Sequence, residues 1–158
     1  MEKLLIMLFG DTKEAFRYFY KMAPAGYSET PLLKKLGIKP GCKLLLINAP
    51  DNYIDLLGSD ISKQISKTGE LPDLIHLFSK NYNEFETEMK KIRSVIKRNK
   101  KIIIWVSWFK KSSGITTDLT EDVIRNFALK NNLVDIKVCA VSDIWSGLKL
   151  VVPLSKRI

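Results

Sequence analysis

Three segments of the chain set amides, hydroxyls and lysines directly behind a short apolar run. Asn48-Ala49-Pro50 follows KLLLI, Ser79-Lys80 follows DLIHLF, and Ser107-Trp108-Phe109-Lys110-Lys111 follows IIIWV. These side chains are suited to binding a ligand. The Asn48 amide can orient one, Lys110 and Lys111 can attract an anion, and Ser112, Ser113 and Gly114 offer hydroxyls and backbone N–H groups. Ser79, Lys80, Ser107, Trp108 and Thr117 complete the candidate set. If the three runs are neighbouring parallel strands, their ends share one polar crevice, which is where open α/β sheets hold ligands. The competing reading is a set of solvated loops in which Asn48 fixes a turn. In that reading Lys110 and Lys111 pair with Asp118, Glu121 and Asp122, which crowd the start of the next helix and weigh against a phosphate there.

Bond-making chemistry finds little support. His76 is the one histidine, and its apolar neighbours make it a hydrogen-bonded core residue rather than a base. No Ser/His/Asp order, Cys/His pair or metal-ligand spacing accompanies it. Asp55, Asp60 and Asp73 are scattered. Cys42 and Cys139 each adjoin an apolar run and read as small buried hydrophobes, kept reduced in the cytoplasm.

Charge is the second signal. Lys plus Arg is 26 against 17 Asp plus Glu, a net +9 over 158 residues. Between Glu88 and Lys101 stand Lys90, Lys91, Arg93, Lys97, Arg98, Lys100 and Lys101. Such a run can contact nucleic acid or an acidic surface. No aromatic residues interleave with the lysines for base stacking, so a solvated outer helix face is the plainer reading. The longest early apolar run, Leu4 to Phe9, is far short of the roughly 20 residues of a membrane span, and no membrane partner is expected. A secreted knot, a zinc ribbon, an acidic tail and a membrane channel are excluded by composition.

The elements that would position these groups alternate. Residues 1–25 read as an N-terminal extension, with a strand at Leu4 to Phe9, a helix at Glu14 to Met22 and a break at Ala23-Pro24-Ala25-Gly26. Met22 offers an alternative translation start. Residues 26–158 read as one domain. Thr30 caps a short helix that Gly37 ends. Strands are expected at Lys43–Ile47, Asp73–Phe78 and Ile102–Val106, each apolar enough to be covered on both faces. Tyr53 to Leu57 is a brief helix ended by Gly58, and residues 59–72 are irregular. Phe85, Met89, Ile92 and Ile96 make one stripe on a continuous helix from Asn83 to Asn99. A further helix runs to Lys130, capped by Asp118 or by Thr120. Asp135–Val141 and Leu148–Val152 are strands whose short connection allows only antiparallel pairing. Trp105 belongs to the core, and Trp145 folds back to close the sheet end. The order predicts an α/β fold: a three-layer, mostly parallel sheet with a C-terminal antiparallel hairpin.

Leu36-Gly37-Ile38-Lys39-Pro40-Gly41-Cys42-Lys43-Leu44-Leu45-Leu46 resembles the opening helix, turn and strand of S-adenosylmethionine-dependent methyltransferase domains, and the closing hairpin is similar to theirs. The resemblance implies a Rossmann-type fold. It stops at the cofactor loop, where those enzymes carry glycines and this chain has Asn48-Ala49-Pro50-Asp51-Asn52. No carboxylate that would hold the ribose is identifiable, and no cofactor is expected.

A closer resemblance covers residues 26–152. Gly26-Tyr27-Ser28, Leu36-Gly37-Ile38-Lys39-Pro40-Gly41, Asn48-Ala49-Pro50, Lys110-Lys111-Ser112-Ser113-Gly114, Thr117-Asp118-Leu119-Thr120-Glu121-Asp122, Val134 to Ala140 and Trp145-Ser146-Gly147-Leu148 resemble an uncharacterised bacterial family, the domain of unknown function numbered 3052. That family implies a fold and no catalytic residues. The function expected is a small-ligand-binding or non-catalytic Rossmann-like domain. A methyltransferase with a degenerate loop and a basic nucleic-acid accessory protein are the alternatives.

Overall fold

Strands β1 (Leu44–Ile47), β2 (Leu74–Phe78) and β3 (Ile103–Phe109) lie side by side and parallel, as their apolar runs predict. The computed structural model describes residues 30–158. The expected strand at Leu4–Phe9, the helix at Glu14–Met22 and the boundary at residue 25 lie outside the described residues. In register, Leu46 faces His76, and His76 faces Trp105. Alternation along β2 sends Ile75 and Leu77 to one core and Leu74, His76 and Phe78 to another, so all five residues are buried.

Helices cover both faces. α1 (Leu32–Leu36) and α2 (Tyr53–Leu57) bury Leu36, Tyr53 and Leu57 against one face. α1 is fixed further by Trp105, whose Nε1 donates to the Leu36 carbonyl at 2.9 Å and satisfies a helix-end acceptor. α2 ends at Gly58, whose φ of 72° is the left-handed conformation that glycine adopts without strain. On the other face lie α3 (Tyr82–Lys91), α4 (Arg93–Arg98) and α5 (Glu121–Lys130), packed through Phe85, Met89, Ile92, Ile124 and Ala128.

The helix expected over 83–99 is two helices. Ile92, at φ −86° and ψ 0°, separates them, and the ladder resumes with the Ile96 N–H donating to the Ile92 carbonyl. The stripe through Phe85, Met89, Ile92 and Ile96 keeps its face across one such residue, so side-chain periodicity does not register the break.

β4 (Val134–Ala140) and β5 (Trp145–Val151) form the expected hairpin, and the sheet order is β1-β2-β3-β5-β4. β5 runs antiparallel between β3 and β4. Its ladder with β3 continues from Val151–Ile103 to Trp145–Phe109. That pairing corrects two expectations. Ser107 and Trp108 stand inside β3 rather than in a loop after it, and β5 starts at Trp145 rather than Leu148. α5 is capped by Thr120, whose Oγ1 accepts from the Val123 N–H at 3.3 Å. Asp118 is not its cap and accepts instead from the Tyr82 N–H at the start of α3, at 2.8 Å. Cys42 and Cys139 are half-buried rather than buried.

Candidate functional site

The carboxyl ends of β1, β2 and β3 meet at one rim. α2, leaving β1, goes to one face, and α3, leaving β2, goes to the other. Between them the Asn48 amide donates to Glu84 Oε1 at 3.2 Å. Asn48 is exposed and holds a φ of 56°, a left-handed conformation that asparagine tolerates. Ser79, at the end of β2, donates its N–H to the Ser107 carbonyl at 3.0 Å. Its Oγ is buried and has no hydrogen-bond partner among the described residues. Thr117 Oγ1 donates to the Lys80 carbonyl at 2.7 Å, which lays the segment after β3 over the end of β2.

The turn after β3 is built by its own side chains. Lys111–Ser113 is a single 3-10 turn, and Ser113 Oγ donates to the Lys110 carbonyl at 2.6 Å. The Lys110 N–H reaches the Ile144 carbonyl of the β4–β5 turn at 2.9 Å. Lys80, Lys111 and Ser112 are exposed, and Lys110 is half-buried. The expected pairing of Lys110 and Lys111 with the helix-start carboxylates is not made. Arg125 holds Glu121, Asp122 and Asp135 at 3.4, 2.7 and 3.0 Å, and Asp118 is at the start of α3, so these acids already have partners.

The structure therefore groups the rim candidates in two ways. Asn48, Ser79, Lys80, Lys110, Lys111, Ser112, Ser113 and Thr117 lie at the strand ends. Of these Ser79 is fully buried, and Ser107 and Trp108 turn inward as well: Ser107 is fully buried on one face, and Trp108 joins the core of the other.

Ser107 belongs to a buried polar chain. Tyr53 Oη lies 2.8 Å from His76 Nδ1, and His76 Nε2 lies 2.7 Å from Ser107 Oγ. Either neutral tautomer satisfies both bonds. Burial pushes His76 down to about 3 and the Tyr53 hydroxyl up, so both are neutral at pH 7. A serine on a histidine suggests a nucleophile and its base. Here the pair is sealed: His76 and Ser107 have no solvent exposure, Phe78 stacks on His76 at 4.3 Å, and Trp145 packs edge-on against Phe78 at 5.0 Å. Trp145 also stacks on Phe109 at 4.3 Å, closing this end of the sheet. The chain Tyr53–His76–Ser107 holds α2 to the sheet, which is the structural part expected of His76. Sequence spacing does not reveal Tyr53, because its partner is reached through space from another element. Glu84 had a local signal: Asn81 and Glu84 have capping spacing, and Asn81 Oδ1 accepts from the Glu84 N–H at 2.9 Å.

The described residues do not fit S-adenosylmethionine or a dinucleotide. Among the described residues β1 is at the sheet edge, and beyond it stands a single parallel bridge between Leu44 and Ile65. The strand that would carry the ribose-binding carboxylate is missing among the described residues. The loop from β1 to α2, where such folds bring glycines against the cofactor, is Asn48-Ala49-Pro50-Asp51-Asn52 and holds none. No group of three or more His, Cys, Asp or Glu residues is placed to hold a metal ion among the described residues. No helix among them is long and apolar enough to cross a membrane.

No protein-family model matches the chain, and no curated protein is significantly similar to it. Solved structures do resemble it. A protein in the NADB-Rossmann superfamily from Streptococcus agalactiae matches with a TM-score of 0.48 at 9% identity, over 80% of this chain and 70% of that one. An uncharacterised protein from Listeria monocytogenes serotype 4b matches with a TM-score of 0.50 at 9% identity, over 82% of this chain and 70% of that one. At such identity the likeness is one of fold alone.

Proposed function

We propose that this chain is a non-catalytic, small-ligand-binding domain of Rossmann-like type, related in kind to the domain of unknown function numbered 3052 and reduced from the plan of the methyltransferase domains it resembles. The observation that carries the reading is the edge position of β1 among the described residues, with Asn48 tied to Glu84 across the opening where a nucleoside cofactor would lie. The sealed state of His76 and Ser107 supports the absence of chemistry. A ligand at the rim would be small and anionic. It would meet the exposed Lys80, Lys111 and Ser112, with Lys110 beside them; the Ser79 hydroxyl is fully buried and would not touch it. A cytoplasmic setting, with Cys42 and Cys139 reduced, belongs to the same proposal.

Two measurements test it. Incubation with methyl-labelled S-adenosylmethionine and pools of RNA, protein and small metabolites is expected to give no transfer, and transfer above a heat-inactivated control overturns the non-catalytic reading. Amide-shift mapping with inorganic pyrophosphate as the probe is expected to move Asn48, Ser79 and Lys110 to Ser113. Shifts absent from these residues overturn the rim as a ligand site.

A further inference from the structure

At a separate place in the fold, a groove of about 510 Å³ opens between α4, the end of α5 and the segment after β5. That volume suits a single small molecule. Its floor is apolar, made by Ile96, Phe127, Leu133 and Val152. Its walls carry Arg93, Lys97, Lys100, Lys130 and Lys156, and no Asp or Glu lines it among the described residues. Three of these come from the basic run noted in the sequence, and two arrive from distant positions by folding.

The pairing of charges is uneven. On the neighbouring surface of α3, Lys90 and Lys91 are paired with Glu86 and Glu88 at 3.2 and 3.3 Å. Among the described residues, none of the five groove cations has an Asp or Glu within ion-pair distance. Two are held by amides instead. Arg93 donates to Asn131 Oδ1 at 3.2 Å, and Lys156 donates to Asn132 Oδ1. Asn131 is itself fixed, its Nδ2 donating to the Phe127 carbonyl at 2.8 Å, and Asn132 takes a φ of 60° to turn the chain toward Lys156. An amide orients a cation without neutralising it, so the charge stays available. Lys100 is turned to the main-chain oxygen of Ile158 at 2.6 Å. Helix-end electrostatics favours Lys97 and Lys130 in the last turns of α4 and α5, but does not account for Arg93 or Lys156.

We infer that this groove binds a small amphiphilic anion, a phosphate monoester carrying an apolar group, with the phosphate among the cations and the apolar group on the floor. This goes beyond the rim reading and does not depend on it. A single-stranded nucleic acid is the weaker fit, because Phe127 is the only aromatic residue lining the groove among the described residues and the flanking lysines of α3 are already paired.

Isothermal titration of the full chain with n-octyl phosphate, below its micelle-forming concentration, tests the proposal. One saturable site is expected. Inorganic phosphate and octanol are each expected to bind at least tenfold more weakly, because each supplies half of the contacts. Lys97→Glu and Lys130→Glu change exposed side chains with no hydrogen bond among the described residues, and each is expected to weaken binding at least tenfold while lowering the melting temperature by no more than a few degrees, the cost of reversing a charge at a helix end. Lys63→Glu, an equal charge change on an exposed turn elsewhere, is expected to leave binding within twofold. Equal affinity for octyl phosphate and inorganic phosphate overturns the amphiphile, as does no saturable binding. Tight binding of oligouridylate that octyl phosphate does not displace assigns the cations to nucleic acid and also overturns it.

Discussion

The Asn48 side-chain amide and the Glu84 carboxylate meet at 3.2 Å, tying the end of β1 to the first turn of α3. The bond lies across the gap where two helices leave the sheet toward opposite faces. It gives Asn48 two tasks, a left-handed turn and a bridge.

These tasks separate by substitution. Glycine adopts the Asn48 backbone conformation without strain, whereas a β-branched residue does not. Asn48→Gly is expected to stay within about 1 kcal/mol of the natural protein, losing one exposed hydrogen bond. Asn48→Val is expected to lose a further ~1–2 kcal/mol from left-handed strain. Urea denaturation at constant slope measures both, and equal stability of the two variants would remove the turn from the argument.

His76 predicts a pH dependence. Its folded value is pushed down to about 3, against an unfolded value near 6.5. Above pH 6.5 both states are neutral and the group contributes no slope. Below it the unfolded chain takes up a proton that the folded chain refuses, so stability falls with pH, by about 1.4 kcal/mol per unit, until the folded value is reached. From pH 7 to pH 5 the loss from this residue is about 2 kcal/mol. His76→Gln starts less stable at pH 7, and its gap to the natural protein should narrow by that amount at pH 5. A gap that stays constant contradicts the buried neutral imidazole.

Ser107 and Ser79 are both fully buried, and opposite outcomes are expected for them. Ser107→Ala leaves a His76 ring nitrogen without its partner, at a cost of about 1–3 kcal/mol. Ser79→Ala removes a hydroxyl that has no partner among the described residues, so its melting temperature should hold or rise. A large loss at Ser79 would show that its hydroxyl makes a structural contact after all.

Gly147 faces Ser107 across the β3–β5 ladder. A Cβ there would lie 3.1 Å from Val141 Cγ2 and 3.2 Å from Trp105 Cε3. Both neighbours are buried, and Trp105 is pinned to the Leu36 carbonyl, so neither has room to retreat. Gly147→Ala should cost ~1–3 kcal/mol by overpacking. Thermal denaturation that leaves the midpoint unchanged would mean this layer is looser than described.

Much of the fold is legible in the sequence because its apolar runs are almost uninterrupted. KLLLI, DLIHLF and IIIWV have few polar alternations, which marks strands covered on both faces, and they lie parallel and adjacent; β2 and most of β3 are buried so, but β1, read as a central strand, stands at the sheet edge among the described residues, with Leu45, Leu46 and Ile47 half-buried. What escapes is set by pairing. Ser107 and Trp108 look like a polar rim after IIIWV, yet the ladder to β5 carries the strand to Phe109 and draws both indoors. Asp118 has capping spacing, but the better-placed Thr120 caps α5 and frees the carboxylate for another helix. The basic run shows its charge and not its partners. Only folding places Lys130 and Lys156 beside Arg93 and Lys97 over an apolar floor.

Titration calorimetry with S-adenosylmethionine tests the central claim most directly, namely that the opening between β1 and β2 no longer takes a nucleoside cofactor. The account predicts no saturable heat at micromolar concentrations. Micromolar binding that Asn48→Val weakens would place the cofactor in that opening and contradict it.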